Sequence, residues 1–434
     1  MLSRLARRTV WTGRGGPAMR MRFGQAMSSE PNHAEVLASP MIKPVCGACN
    51  LVCTYCYYRQ TADHFDDRPS RMTDEAIRNI VRTFCQSPHP CPHFSWQGGE
   101  PMLAGLDFFQ KAVAYQQAYR REGQQVVNAF QTNGTLIDDA WGRFLKRWDM
   151  LVGISIDGPP EIHDKNRIYP NGAGSQEDVL RGLRVLQEHQ VEHNVLVLVH
   201  GDNVHHPKEV VRFIRDLGED YLQFIPCVVT GLDRSMPSHD AVDPLAYGQF
   251  LCEVFDEWLS VGPTRLYVRM FNNLVLAAAG HEPEYCVFRR ACAGCLLVEH
   301  NGDVFPCDFM VQPEWRMGNL TTDSLAEIYR HPRWLAFRKL KSQLPPACQA
   351  CRHVALCNGG CPRDRFGGRL PDDEPNYLCR GYQLFLDHAR PEIEKVAADW
   401  LSGQHMPPPP ERTPPAGSGR SRKRRRRPRA RRRR

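Results

Sequence analysis

The sequence predicts an α/β protein: parallel βα units followed by a small cysteine-rich domain. Two observations carry this. Between 42 and 224, short β-like apolar runs alternate with longer helical ones. From Cys286 onward the alternation stops, and cysteines and turns crowd together. Such alternation gives parallel strands in an open sheet or in a partial or complete barrel, with the chemistry at the C-terminal strand ends.

The strands are expected at 92–97, 126–132, 151–156, 194–199 and 221–225. Helices are expected at 74–85, 106–119, 138–148, 175–190 and 207–217; the first places Ile77, Ile80, Val81, Phe84 and Cys85 on one stripe. Ser175 with Asp178 has the spacing of a capping box. Further on, 296–299 and 304–307 flank His300-Asn301-Gly302-Asp303, the signature of a hairpin with an Asn-Gly turn. A final helix over about 382–401 is expected to pack back on the body.

Composition narrows the function classes. With 434 residues, 42% of them apolar, there is material for a real core, which excludes wholesale disorder. The longest apolar run, 274–279, falls far short of the roughly 18–20 residues of a membrane span. Residues 1–29 carry six arginines and no acid, and 420–434 carry twelve basic residues and no acid. The body between them holds 38 basic against 48 acidic residues, a net charge of −10. The globular part is therefore acidic, and no specific nucleic-acid binding is expected of it. The leader has a transit-peptide composition, but an over-long start, with Met19, Met21 or Met27 as the true initiator, is the favoured reading. The tail, a Pro-rich spacer before an arginine block, is expected to be unstructured.

Seventeen cysteines are too dilute for a disulfide scaffold, and an odd number cannot all pair. Metal or cluster ligation is the economical reading. Cys49-x3-Cys53-x2-Cys56 puts three thiols on one short loop after the first strand. Three ligands suit a four-iron cluster with one iron left open. Structural zinc wants four, for which Cys46 is the available addition. At the end of the next strand stands Trp96-Gln97-Gly98-Gly99-Glu100-Pro101. Adjacent glycines admit close backbone approach to a ligand, and a carboxylate beside them can accept from an ammonium. Beyond the βα units come Cys286, Cys292 and Cys307, then Cys348, Cys351, Cys357, Cys361 and Cys379. Eight positions serve two fully ligated four-iron clusters; a zinc ribbon over 348–361 is the alternative.

The stretches CNLVCTYCYY, FSWQGGEPMLAGLDFF, FQTNGTLI and VGISIDGPPEIHD resemble the anaerobic sulfatase-maturating enzymes, radical S-adenosylmethionine (SAM) enzymes with a SPASM domain, over about 42–398. The resemblance implies a partial (β/α)6 TIM-like barrel over 41–262 and a SPASM domain with two auxiliary iron–sulfur clusters over 263–400. It leaves a leader at 1–40 and a tail at 401–434. It implies three [4Fe–4S] clusters and S-adenosylmethionine as cofactors. Cys49, Cys53 and Cys56 would hold the radical cluster. Cys286, Cys292, Cys307 and Cys361 would hold one auxiliary cluster, and Cys348, Cys351, Cys357 and Cys379 the other. Tyr55 would lie near the adenine, Gly98, Gly99 and Glu100 at the methionyl end, and Ser155 against the cofactor with Asp157 close by. Tyr58 and Gln97 would face the substrate.

Asp308 follows Cys307 and by the same resemblance is the base for the substrate side chain. The implied reaction oxidises a Cys or Ser of an unfolded sulfatase to Cα-formylglycine through a 5′-deoxyadenosyl radical, with flavodoxin or ferredoxin as electron donor. Such reducible clusters suit the cytoplasm. Two other readings remain: a maturase of the same type acting on another peptide, for example by forming a thioether, and a zinc-bound adaptor using its arginine tail on nucleic acid. Cys85, Cys91, Cys227 and Cys252 are expected to pack, and Cys46 and Cys295 to be non-ligands.

Overall fold

The computed structural model describes residues 39–58, 71–228, 241–292, 296–365 and 374–403. The leader, Cys295 and the Pro/Arg-rich tail, for which expectations were stated above, lie outside the described residues.

Seven strands run parallel in chain order: β1 (Met41–Ile42), β2 (His93–Trp96), β3 (Val127–Thr132), β4 (Leu151–Ser155), β5 (His193–Val199), β6 (Tyr221–Pro226) and β7 (Tyr267–Val268). Helices fill the crossovers: α1 (Asp74–Cys85), α2 (Leu106–Tyr119), α3 (Asp139–Arg147), α4 (Pro160–Asn166), α5 (Gln176–Glu188), α6 (Pro207–Asp216) and α7 (Pro244–Val261). Among the described residues β1 and β7 do not pair with each other, so the arrangement is an open, partial barrel. β7 pairs with β6 and leads into α8 (Arg269–Ala278).

On its other side β1 pairs in parallel with β8 (Leu297–Val298), which returns through the expected hairpin to β9 (Asp303–Phe305); β10 (Gly318–Asn319) follows antiparallel. The cysteine-rich part thus extends the barrel's own sheet. Short helices α9 (Leu325–Arg330), α10 (Pro332–Leu340), α11 (Pro346–Gln349) and α12 (Val354–Cys357) follow, and α13 (Cys379–Leu401) packs back on α7 and α8. One apolar core runs from Ile42 through β2–β6 to Phe385 and Ile393 of α13.

Local sequence explains the boundaries. Thr73 caps α1 by accepting from the Ala76 amide, with Asp74 and Glu75 in the first turn, and the predicted stripe is buried. The capping box at α5 is a correction. Ser175 gives its hydroxyl to the Arg167 carbonyl at 2.7 Å, and Asp178 accepts from Tyr169. Asp164, 11 residues upstream, instead accepts from the amides of Ser175 and Gln176 at 2.8 and 2.9 Å. A tertiary carboxylate has taken over the orphan N–H groups that a local cap would serve. No described helix is long and apolar enough to cross a membrane.

Candidate active site

Cys49, Cys53 and Cys56 lie on the loop leaving β1 and line a cavity of about 230 Å³ at the C-terminal strand ends. The loop is tied on two sides. Gly99 and Glu100 donate to the carbonyls of Cys46 and Ala48 at 2.9 and 2.8 Å, and Val52 donates to Ile168 at 2.8 Å. The Leu51 amide and Asn133 Nδ2 point at Cys49 Sγ, 3.3 and 3.7 Å away. Burial pushes the Cys49 thiol up to about 12 and Cys53 to about 11. Buried thiols of that kind give up their protons only to a compensating cation, so this donor set fits a metal cluster.

The same cavity is lined by Tyr55, Tyr58, Gly98, Gly99, Ser155 and Asp308, which with the cysteine loop brings four separate chain segments together. Asp157 lies behind it, fully buried. It pairs with Arg167 at 2.8 Å, accepts from the Leu198 amide at 2.9 Å, and takes a short hydrogen bond from Tyr55. Burial raises the Asp157 carboxyl, but Arg167 and His163 outweigh it and hold it below the usual carboxylate range. Its contacts therefore hold Tyr55 and Arg167 in place along the cavity wall, where Tyr55 also stacks on His200. Ser155 accepts from Gln131 Nε2 at 3.2 Å.

Glu100 is held by a network of its own. Its carboxylate is completely buried and accepts from the Met102 amide (3.0 Å), the Thr132 hydroxyl (2.9 Å) and the Asn133 amide (2.8 Å). It does not line the cavity. These three bonds lock the end of β3 to the glycine turn. Burial pushes its carboxyl up to about 7 against the pull of these donors. Glu100→Gln should therefore turn an NH2 group toward a donor. We expect a stability loss of about 1–3 kcal/mol, as for a buried mispaired group, with weakened S-adenosylmethionine binding. Denaturation and ligand titration of the loaded protein check this.

Asp308, at the return of the β8–β9 hairpin, is 5% exposed. Its Oδ2 accepts from the Tyr58 hydroxyl at 2.7 Å, from Gln97 Nε2 at 3.3 Å, and from Tyr57 by a short bond. Its Oδ1 lies 3.0 Å from Lys43 Nζ. Burial, reinforced by Asp308, pushes both phenols well above their ordinary value, so they remain donors. The expected substrate residues Tyr58 and Gln97 thus converge on the expected base. Tyr57, Lys43 and Arg167 were not anticipated. The only sequence signals are a second Tyr beside Tyr58 and a lone Lys at the end of an apolar strand.

Eight of the other described cysteines fall into two groups. Cys292, Cys307 and Cys361 each interact electrostatically with Cys286 or Cys361. Cys348, Cys351, Cys357 and Cys379 line a second cavity of about 390 Å³. Arg365, buried between the groups, leaves Nε and Nη2 without an acceptor among the described residues. Orphaned guanidinium N–H groups facing sulfur suit an anionic cluster. Cys85, Cys227 and Cys252 are buried, Cys227 against the first cavity, and Cys91 is half-buried beside His93. Cys46 faces Glu299 and His300.

Residues 44–214 match the model of the radical SAM superfamily, and 286–352 match an iron–sulfur cluster-binding domain, SPASM. The serine-type anaerobic sulfatase-maturating enzyme of Bacteroides thetaiotaomicron is 34% identical over 383 residues, which are 84% of this chain and 92% of that protein. The chain belongs to the anaerobic sulfatase-maturating enzymes. Another member, the cysteine-type enzyme of Clostridium perfringens, is 33% identical over 83% of this chain and 98% of its own. A solved structure described as native anSMEcpe with bound AdoMet and Cp18Cys peptide has a TM-score of 0.78 at 32% identity, covering 83% of this chain and 99% of that one. Streptococcus suis SuiB bound to S-adenosylmethionine, at 16% identity, TM-score 0.53 and coverage of 75% and 73%, shares the fold alone.

Proposed function

We propose that this sulfatase-maturating family member oxidises a Cys or Ser side chain of an unfolded sulfatase polypeptide to Cα-formylglycine. The observation that carries the reading is that the three-thiol loop and a buried, multiply hydrogen-bonded Asp308 share one cavity. Cys49, Cys53 and Cys56 would hold a four-iron cluster which, with S-adenosylmethionine bound, supplies a 5′-deoxyadenosyl radical able to abstract a Cβ hydrogen.

The chain's own residues do the rest. The backbone of Gly98 and Gly99 and the Tyr55 ring, held by Asp157 and His200, shape the cofactor's wall. Asp308, which lines the cavity and is paired with Lys43, takes the proton of the substrate's thiol or hydroxyl; the remaining electron would pass to the auxiliary clusters, and from a Cys substrate water would then displace the sulfur as hydrogen sulfide. Tyr58 and Gln97, now on Asp308, exchange to the incoming side chain. Cys286, Cys292, Cys307 and Cys361 would hold one auxiliary cluster, and Cys348, Cys351, Cys357 and Cys379 the other. A barrel portion over 41–262 and an auxiliary portion over 263–400, a low-potential donor such as flavodoxin or ferredoxin, and a cytoplasmic setting complete the reading.

Anaerobically reconstituted full-length protein is incubated with S-adenosylmethionine, dithionite and sulfatase peptides carrying either Cys or Ser at the target position. Mass spectrometry should show an aldehyde on at least one peptide. Formation of 5′-deoxyadenosine with both peptides intact would overturn the reading.

A further inference from the structure

Lys43 is the first residue after β1, and Glu299 the first after β8. Because these strands pair in parallel with Met41 opposite Leu297 and Ile42 opposite Val298, Lys43 and Glu299 emerge side by side. The Lys43 amide continues the ladder by donating to the Val298 carbonyl at 3.0 Å. The Lys43 side chain is 1% exposed, and its ammonium lies 3.0 Å from Glu299 Oε1 and 3.0 Å from Asp308 Oδ1. It also sits 4.6 Å from the centre of the Tyr58 ring. Burial alone would lower its pKa, but the two carboxylates outweigh that and hold it above the ordinary lysine value.

Room for the stem is made by the glycine turn. A Cβ on Gly98, where φ is +121°, would stand 3.0 Å from Lys43 Cγ. One ammonium therefore joins three pieces: the end of β1, from which the cysteine loop departs, the cysteine-rich extension through Glu299, and Asp308 itself. Asp308 is engaged at both oxygens, by the hydrogen-bond donors Tyr57, Tyr58 and Gln97 at Oδ2 and by the Lys43 ammonium as an ion pair at Oδ1. Removing the Oδ1 partner frees the carboxylate to rotate about its Cβ–Cγ bond and lets the seam under it shift.

We propose that Lys43, pinned by Glu299, is a positioning residue that sets the orientation of Asp308 relative to the radical-generating loop. This rests on the reading of Asp308 as the base. Lys43 touches neither substrate nor cofactor; it couples hydrogen abstraction to product formation by keeping the acceptor oxygen aimed into the cavity. A misplacement of about 1 Å at a reacting group costs on the order of 100-fold, so the effect is large but short of removing the base.

The experiment compares wild type, Lys43→Met and Lys43→Arg as reconstituted full-length proteins with the sulfatase peptide. It measures iron content, 5′-deoxyadenosine and aldehyde in each. We expect Lys43→Met to keep its iron and its 5′-deoxyadenosine formation, while the ratio of 5′-deoxyadenosine to aldehyde rises by roughly 10- to 100-fold. Lys43→Arg, which keeps a cation between the carboxylates, should recover part of the coupling. A purely structural role would lower both products together, and an unchanged ratio in iron-loaded Lys43→Met would overturn the proposal. Should Lys43→Met fail to fold, Glu299→Gln, which leaves Lys43 and Asp308 intact, decides in its place: a raised ratio supports the clamp and a wild-type ratio overturns it. Absence of aldehyde in the wild type would count against the functional reading, not against Lys43.

Discussion

Asp308→Asn should leave S-adenosylmethionine cleavage intact and lower aldehyde formation by about 10²–10⁴-fold, the range for loss of a positioned base. The substitution is isosteric, and the fold should tolerate it because Lys43 keeps Glu299 at 3.0 Å as its counter-ion. The asparagine carboxamide oxygen can still accept from Tyr58 and Gln97, which now hold Oδ2 at 2.7 and 3.3 Å, while its NH2 turned toward Lys43 should cost about 1–3 kcal/mol of stability. What disappears is the ability to take a proton from the substrate thiol or hydroxyl. The three-thiol loop and its ties to Gly99 and Glu100 are untouched, so 5′-deoxyadenosine should still appear. Chromatography of the nucleoside with mass spectrometry of the peptide separates the two events. Undiminished aldehyde would remove Asp308 from the role of base.

The fold was largely legible because its signals are local. α1 at Asp74–Cys85 and α2 at Leu106–Tyr119 begin and end where the apolar stripe and the flanking residues place them, and β2–β6 fall within a residue or two of their apolar runs. The motif glycines and cysteines were legible for a different reason: three thiols at that spacing have few other uses. What stayed hidden depends on pairing at a distance. Lys43 and Glu299 become neighbours only through the β1–β8 register, and Tyr57 meets Asp308 across 251 positions. No window of sequence contains both partners. The capping box failed similarly, because Asp164 reached the start of α5 before Asp178 was needed. The buried donors on Glu100, from Met102, Thr132 and Asn133, were likewise hidden, since a sequence shows that a carboxylate is present but not what meets its oxygens.

Gly99→Ala, the addition of one methyl group, should eliminate radical formation. A Cβ at this position would fall 2.0 Å from the Ala48 carbonyl oxygen and 2.6 Å from the carbonyl carbons of Ala48 and Gly47. These are backbone atoms of the cysteine loop, so no rotamer change relieves the overlap. Either the loop or the glycine turn must retreat. Retreat breaks the bonds from the Gly99 and Glu100 amides to Cys46 and Ala48, the contacts that hold Cys49, Cys53 and Cys56 against the cavity. None of the eight later cysteines is among the atoms nearest to such a Cβ, so the cysteine-rich part should load normally. Iron should therefore fall toward about eight per chain from about twelve, with acid-labile sulfide in step, reflecting loss of one four-iron cluster out of three. The 5′-deoxyadenosine yield should drop at least about 100-fold, as for a site displaced by more than an ångström. Wild-type iron together with wild-type turnover in Gly99→Ala would mean that the close approach between the glycine turn and the cysteine loop does not control the site.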